Sequence, residues 1–348
     1  MAKSTRMISS YAEDLELFRT RTRKFWFGVL VIVLIAAPWA GLGIGGDYLP
    51  YLLNLAGIAV IVALGLNLLT GSTGLVSLGH AAFLAIGAYT AGLLSTRLGL
   101  PFWLVIPLAA GFTALVGALV GLPALRMKGV YLALATLAAQ FIVEHVIVSW
   151  ESVTGGPNGL AVARPALGAF PLDTHVRFYY LIAGFAVLLS FGVANIMRSR
   201  FGRALVAIRD SDVAAQAMGV DLAKYKTAAF AISAGYAGVA GALYAFCLGY
   251  VGPDHFTIFL SVEYIVTIII GGLGTILGSI LGAVFVSLLP EGVRLVEAAL
   301  KEAFPRMLFP DLKNIILGAG LILVILFEPQ GLAGRWRKIK RYWTSWPF

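Results

Sequence analysis

Long stretches of this chain show no alternation of apolar and polar positions; residues 104–120, for example, are apolar almost throughout. A helix on a soluble core carries a polar face, and a membrane-barrel strand alternates with a period of two, so neither pattern fits. Continuous apolar runs of about 20 residues read instead as helices solvated by lipid. Ten are predicted, over residues 25–44, 50–70, 80–96, 101–121, 130–149, 178–197, 227–249, 262–272, 275–290 and 314–328. The eighth and ninth are too short to be ordinary spans and are separated only by Leu273 and Gly274. They are either a pair of short spans or one long bent helix.

Charge placement favours ten crossings. With a cytoplasmic start, six of the 26 Lys and Arg residues precede residue 25, Arg126 and Lys128 follow span four, six lie within 198–226 and five follow span ten. The outer loops hold the other seven, so 19 face inward, as the positive-inside rule expects. Nine crossings would leave one basic terminus outside. The expected fold is all-α, a polytopic transmembrane helix bundle of about ten spans with both termini cytoplasmic. It comprises an N-terminal segment over 1–24, a transmembrane domain over 25–328 with a cytoplasmic segment at 198–226, and a basic tail over 329–348. The first apolar stretch is long and Pro38 interrupts the place of a cleavage site, so it reads as an uncleaved span rather than a signal peptide.

Composition narrows the function. Of 348 residues 59% are hydrophobic and 12% charged, against about 45–50% and about 25% in soluble domains. A soluble enzyme, a disordered chain and a disulfide-stapled module are excluded. No segment between spans is long enough to fold as a domain of its own, and no Gly-Lys-Ser/Thr is present to cradle a phosphate. His80, His145, His175 and His255 lie far apart, and Cys247 is the sole cysteine, so neither a local metal motif nor an internal disulfide is available. No catalytic residue, metal or cofactor is therefore expected in this chain. Energy must come from an ion gradient or from another subunit. The net charge of +9 follows from orientation. The aromatic and basic residues of Arg335-Trp336-Arg337-Lys338-Ile339-Lys340-Arg341-Tyr342-Trp343 read as an anchor on anionic membrane lipid rather than a nucleic-acid platform.

Four features stand out from a generic bundle. Gly71-Ser72-Thr73-Gly74-Leu75-Val76-Ser77-Leu78-Gly79 joins two apolar spans with poor helix formers and no formal charge. It is either irregular backbone beside a substrate path, with Ser72, Thr73 and Ser77 offering hydrogen bonds, or an ordinary cytoplasmic turn. In Gly271-Gly272-Leu273-Gly274 the glycines mark a bend, and Gly274, Gly278 and Gly282 then place small residues on one helix face for close packing, as do Gly117 with Gly121 and Ala234 with Gly238. Thr136, Gln140 and Glu144 share a face of span five, with Glu144 near its solvated outer end, and Asn67 is a further polar candidate on the path. Lastly, Asp212 is expected to cap a short helix over 213–218 that Gly219 ends in the left-handed conformation. Ala214, Ala215 and Met218 would form a small apolar patch there. It is either a docking knob for a cytoplasmic partner or a helix idle at the lipid interface.

At these residues the chain resembles a known family. Gly74-Leu75-Val76-Ser77-Leu78-Gly79-His80-Ala81-Ala82-Phe83, Gly87-Ala88-Tyr89, Lys128-Gly129-Val130-Tyr131-Leu132-Ala133-Leu134-Ala135-Thr136 and the Gly271–274 bend look like the branched-chain amino acid ABC permease family over roughly residues 50–330. The long N-terminus and Thr154-Gly155-Gly156-Pro157-Asn158-Gly159-Leu160 resemble its LivM-like branch more than the LivH-like one. The resemblance implies a subunit of the bacterial inner membrane importing leucine, isoleucine and valine. Its partners would be a second homologous permease, two cytoplasmic ATP-binding subunits and a periplasmic substrate-binding protein. Glycine-bent segments around Gly271, Gly272 and Gly274 would line the path. The coupling helix of ABC importers carries Glu-Ala-Ala-x-x-x-Gly; here Ala214, Ala215 and Gly219 match while Val213 stands at the Glu position, leaving Arg209, Asp210 or Asp212 as substitutes. Similar permeases carry urea or amides. A secondary transporter coupled to an ion is the rival from another class, and it needs charge within the spans.

Overall fold

The computed structural model describes residues 32, 34–40, 46–124, 127, 129–163, 165–167, 170–171, 174–303, 312–328 and 330–345. The chain divides into two units, residues 1–50 and 51–348. In the first, residues 34–40 are helical; the expected 1–24 segment and most of span 25–44 lie outside the described residues.

The main helices are α1 (Tyr48–Thr73), α2 (His80–Thr96), α3 (Phe102–Ala124), α4 (Val130–Ser149), α5 (His175–Arg198), α6 (Arg200–Asp210), α7 (Asp212–Ala217), α8 (Leu222–Leu248), α9 (Ile258–Gly271), α10 (Ile276–Ala303), α11 (Leu312–Phe327) and α12 (Gly331–Ser345). The architecture is all-α apart from two-residue ladders. Among the described residues seven helices are long and apolar enough to cross a membrane, while α2 and α11 are shorter, at 17 and 16 residues. The bounds of α2 and α4 coincide with the apolar runs that predicted them.

α8 lies at the centre, against α2 and α3. Its small residues let neighbouring backbones approach to contact distance. A Cβ on Gly241 would stand 2.1 Å from Leu84 O, and one on Gly87 would stand 2.5 Å from Gly238 O. The two small-residue pairs seen in the sequence meet each other: a Cβ on Gly117 would lie 2.2 Å from Ala234 Cβ, and Gly121 faces Phe230. In lipid, where no hydrophobic drive joins helices, such close packing is the main source of cohesion.

The question of one bent helix or two is settled by α9 and α10. A Cβ on Gly282 would meet Thr267 O at 2.2 Å, and one on Gly271 would meet Gly278 O at 2.0 Å. Rising numbers in α10 oppose falling numbers in α9, so the two form an antiparallel hairpin. Its turn needs glycine, because Gly272 and Gly274 adopt φ +126° and +72°.

At the opposite end, Arg97 Nη2 donates to Ser152 O at 2.5 Å and Val153 O at 2.9 Å. β1 (Leu160–Ala161) pairs with Tyr250–Val251, and Tyr250 OH donates to Asn158 O at 2.9 Å. The Gly155-Gly156-Pro157-Asn158-Gly159 loop is thereby fixed to the end of α8.

Candidate functional site

Polar groups gather at both ends of the non-helical segment 74–79. α1 runs to Thr73, so Gly71, Ser72 and Thr73 are helical, and irregular backbone begins only at Gly74 (φ +75°). This corrects the expectation of a break from Gly71. α2 is about 25 Å long at 1.5 Å per residue, short of a hydrocarbon core of about 30 Å. Segment 74–79 precedes α2, and its Leu75 and Ser77 are buried rather than in a solvated turn.

The first cluster joins α1 to the α9–α10 turn. Asn67, 4% exposed, donates through Nδ2 to Thr275 O at 2.9 Å and Ser279 Oγ at 2.7 Å, and its Oδ1 accepts from Gly274 N–H at 2.8 Å. One turn on, Gly71 lies so close to the hairpin that a Cβ would stand 2.3 Å from Gly274 N. Ser72 sits beside Asn67, Gly274 and Ser279 in a narrow cleft. Thr73 Oγ1 donates to Leu69 O within its own helix and accepts from Leu75 N–H at 3.3 Å. On its other side the turn bears on the start of α12, where a Cβ on Gly331 would lie 2.7 Å from Gly272 N. Gly271, Gly272 and Gly274 therefore serve packing and turn geometry.

The second cluster surrounds the first turn of α2. Leu78 N–H donates to Thr136 Oγ1 and Ala81 N–H to Ser261 Oγ, both at 2.9 Å. Gln140 Nε2 donates to Phe256 O at 2.6 Å, while Ser261 Oγ stands 3.5 Å from Gln140 Oε1. Thr136 and Gln140 share the buried face of α4, as their spacing predicts, and Glu144 is half-buried one turn further on. Sequence reasoning missed His80 and Ser261. His80 is fully buried, edge-on to Phe83 at 5.7 Å, with no hydrogen bond to either ring nitrogen; Ser77 Oγ likewise has none. A lone serine in the apolar run 258–271 was the available signal for Ser261.

The third group lies on α6 and α7. α7 is capped by Ser211, whose side chain accepts from Ala214 N–H at 3.3 Å, and not by Asp212. The Asp212 carboxylate is taken by Lys226, with Nζ to Oδ2 at 2.9 Å. Gly219 adopts φ +83°, the left-handed stop expected of it. The apolar patch differs from expectation: Ala215 is 4% exposed and turns inward, whereas Val213 at 74% and Met218 at 85% project outward beside Ala214. Asp210 is exposed. Arg209 reaches the end of α1, where its Nη1 donates to Gly71 O at 2.6 Å.

Hydroxyls, amides and backbone groups thus dominate the buried polar set. Among the buried described residues Lys226 is the one Lys, Arg, Asp or Glu, and among all the described residues no group of three or more His, Cys, Asp or Glu converges on a point.

A family described as the permease component of the branched-chain amino acid transport system matches residues 48–325. The chain is 33% identical over 328 residues to the high-affinity branched-chain amino acid transport system permease protein LivM of Salmonella typhimurium, across 87% of this chain and 74% of that protein. It is 34% identical to LivM of Escherichia coli, across 79% of this chain and 67% of that one. The autoinducer 2 import system permease protein LsrC of an Enterobacter species is 28% identical, across 75% and 74%. No solved structure matches.

Proposed function

The chain belongs to the branched-chain amino acid transport permease family, and from that premise we propose that it is a membrane subunit of an ATP-driven importer of leucine, isoleucine and valine in the bacterial inner membrane. The observation that carries this reading is the 33–34% identity, over most of both chains, to permeases named LivM. A second, homologous permease completes the pore. Two cytoplasmic ATP-binding subunits supply energy, and a periplasmic binding protein delivers cargo. Both termini face the cytoplasm, and basic α12 rests on anionic lipid.

α7 docks to an ATP-binding subunit. Ser211 caps it, Gly219 stops it, and the Asp212–Lys226 pair fixes it to the base of α8. Val213 and Met218 form the apolar knob, with Asp210 and Gly219 at its rim. Closure of the ATP-binding pair would move α7 and reorient the permeases about the path between them, as alternating access requires. An interior whose buried described residues include a single charge suits an apolar side chain. Coupling to an ion instead requires charge within the spans. Among the described residues Lys226 is the one buried charge, and it is already paired with Asp212.

The test is uptake by the complete complex in proteoliposomes, with leucine, isoleucine, valine, urea and short amides as cargo. ATP-dependent uptake of the three amino acids supports the reading. Preference for urea or amides would move the cargo, and accumulation on an ion gradient without ATPase would overturn the importer.

A further inference from the structure

α6 and α7 are joined by one residue, Ser211. α7 bears the knob assigned to the ATP-binding subunit, while Arg209, two residues before the joint, reaches the end of α1. Its Nη1 donates to Gly71 O at 2.6 Å. A Cβ on Gly74 would stand 3.6 Å from Arg209 Cγ, and one on Gly274 would stand 3.1 Å from Nη1, so the side chain passes one glycine and rests on the other. Arg209 therefore touches the end of α1 and the α9–α10 turn together. Asn67 already binds those two to each other through Gly274 N–H and Thr275 O.

The contact suits a permanent cation. Gly71 O is among the last four carbonyls of α1, which lack partners within the helix, and the helix dipole concentrates negative charge there. A guanidinium is a planar fork of five N–H donors, so one N–H can hold the carbonyl while others remain free. Because Asn67 ties the α9–α10 turn to α1 and Gly71 packs directly on Gly274, the end of α1 and the turn are held together as one target for Arg209.

We propose that Arg209 is a positioning residue for transport, passing displacement of the docked α7 to the α9–α10 hairpin through its grip on Gly71 O and its contact with Gly274. The importer reading underlies this assignment. Arg209 thus acts inward, and not as a polar contact to the ATP-binding subunit.

The complete complex in proteoliposomes tests it, with Arg209→Ala, Arg209→Lys and, on the exposed side of α6, Arg203→Ala. ATP-binding subunits should co-purify with all three at the wild-type ratio, and ATP hydrolysis should persist. In Arg209→Ala the tritiated leucine moved per ATP hydrolysed should fall by about tenfold, the size of one lost hydrogen bond to a charged group. Arg209→Lys should recover part of it and Arg203→Ala should match wild type. A second measurement needs no cargo: spin labels on Leu273, in the turn, and Leu98, beyond the outer end of α2, should change separation when ATP is trapped, and Arg209→Ala should abolish the change. A leucine-to-ATP ratio within about twofold of wild type in Arg209→Ala, lost co-purification, or an unchanged distance in the wild type would each overturn the proposal. Wild-type complex that moves no leucine with ATP, yet shows an Arg209-dependent distance change, would overturn the cargo and leave the relay.

Discussion

Asn67 tests whether a polar side chain at this depth serves cargo or structure. Sequence placed it on the substrate path; the structure commits its amide to the α9–α10 turn at 2.7–2.9 Å in three bonds. Asn67→Leu keeps much of the volume and removes all three. Two of the partners have alternatives, since Thr275 O also accepts from Ser279 N–H at 3.1 Å and Ser279 Oγ can donate to Thr275 O at 3.3 Å. Gly274 N–H donates to Asn67 Oδ1. An unsatisfied buried donor costs about 1–3 kcal/mol, and the lost bonds add about 1 kcal/mol, so a loss of about 2–4 kcal/mol is expected. Asn67→Asp keeps an acceptor for Gly274 N–H but points an anion at Thr275 O, and should be worse. Denaturant titration of the purified subunit, read by tryptophan fluorescence, measures the loss, and leucine uptake by the complex supplies KM. Unchanged stability with a raised KM would make Asn67 a cargo ligand and refute the clamp.

Gly278→Val should not accumulate in membrane fractions, since even a Cβ there would stand 2.5 Å from Gly272 O; normal amounts on an immunoblot would show that the hairpin can open. Asp212→Ala should cost about 3 kcal/mol by leaving Lys226, 3% exposed, without its carboxylate, and the double variant Asp212→Ala with Lys226→Met should recover most of it in thermal melts. Met218→Glu should change stability by under about 0.5 kcal/mol and lower co-purification of the ATP-binding subunit, because the side chain is 85% exposed. Ala215→Glu should lose both, since it puts a charge at a position 4% exposed, and a fully folded Ala215→Glu would contradict the placement of α7.

Local periodicity read the helices well because lipid forces it: with no water available, backbone groups must bond within the segment, and an apolar run then fixes the helix length. α2 and α4 fell where their apolar runs fall, and Thr136 and Gln140 share a buried face at a spacing of four. What could not be read locally depended on distant partners. Ser211 and Asp212 are adjacent and both good caps. The structure chooses Ser211, and Lys226, 14 residues on, holds the carboxylate of Asp212. Likewise Gly-Ser-Thr is poor helix, yet α1 continues through it, because Gly71 packs on Gly274 some 200 residues away. Propensity yields to such packing.

Breaks in the helices also account for the engagement of Asn67, Thr73, Thr136 and Gln140, which the sequence had placed on the path. A bundle of broken helices creates peptide groups without helical partners at each break, and in a membrane only protein or enclosed water can satisfy them. Asn67 answers the α9–α10 turn, Thr73 and Thr136 answer the two ends of segment 74–79, and Gln140 answers Phe256 at the head of α9. These four buried side chains therefore answer breaks in the helices before they answer the cargo, while Thr113, Ser233 and Thr267 donate to helix carbonyls. Buried charge is different, because a charge is too costly to use where a hydroxyl would serve. Among the described residues it is confined to Lys226, paired with Asp212 at the start of α7, and that fits the proposal of a subunit driven through α7. Polar atoms that answer no break need another explanation, and Ser77 Oγ and the His80 ring, like Asn54 Oδ1, Tyr89 OH and His255 Nδ1, are among them.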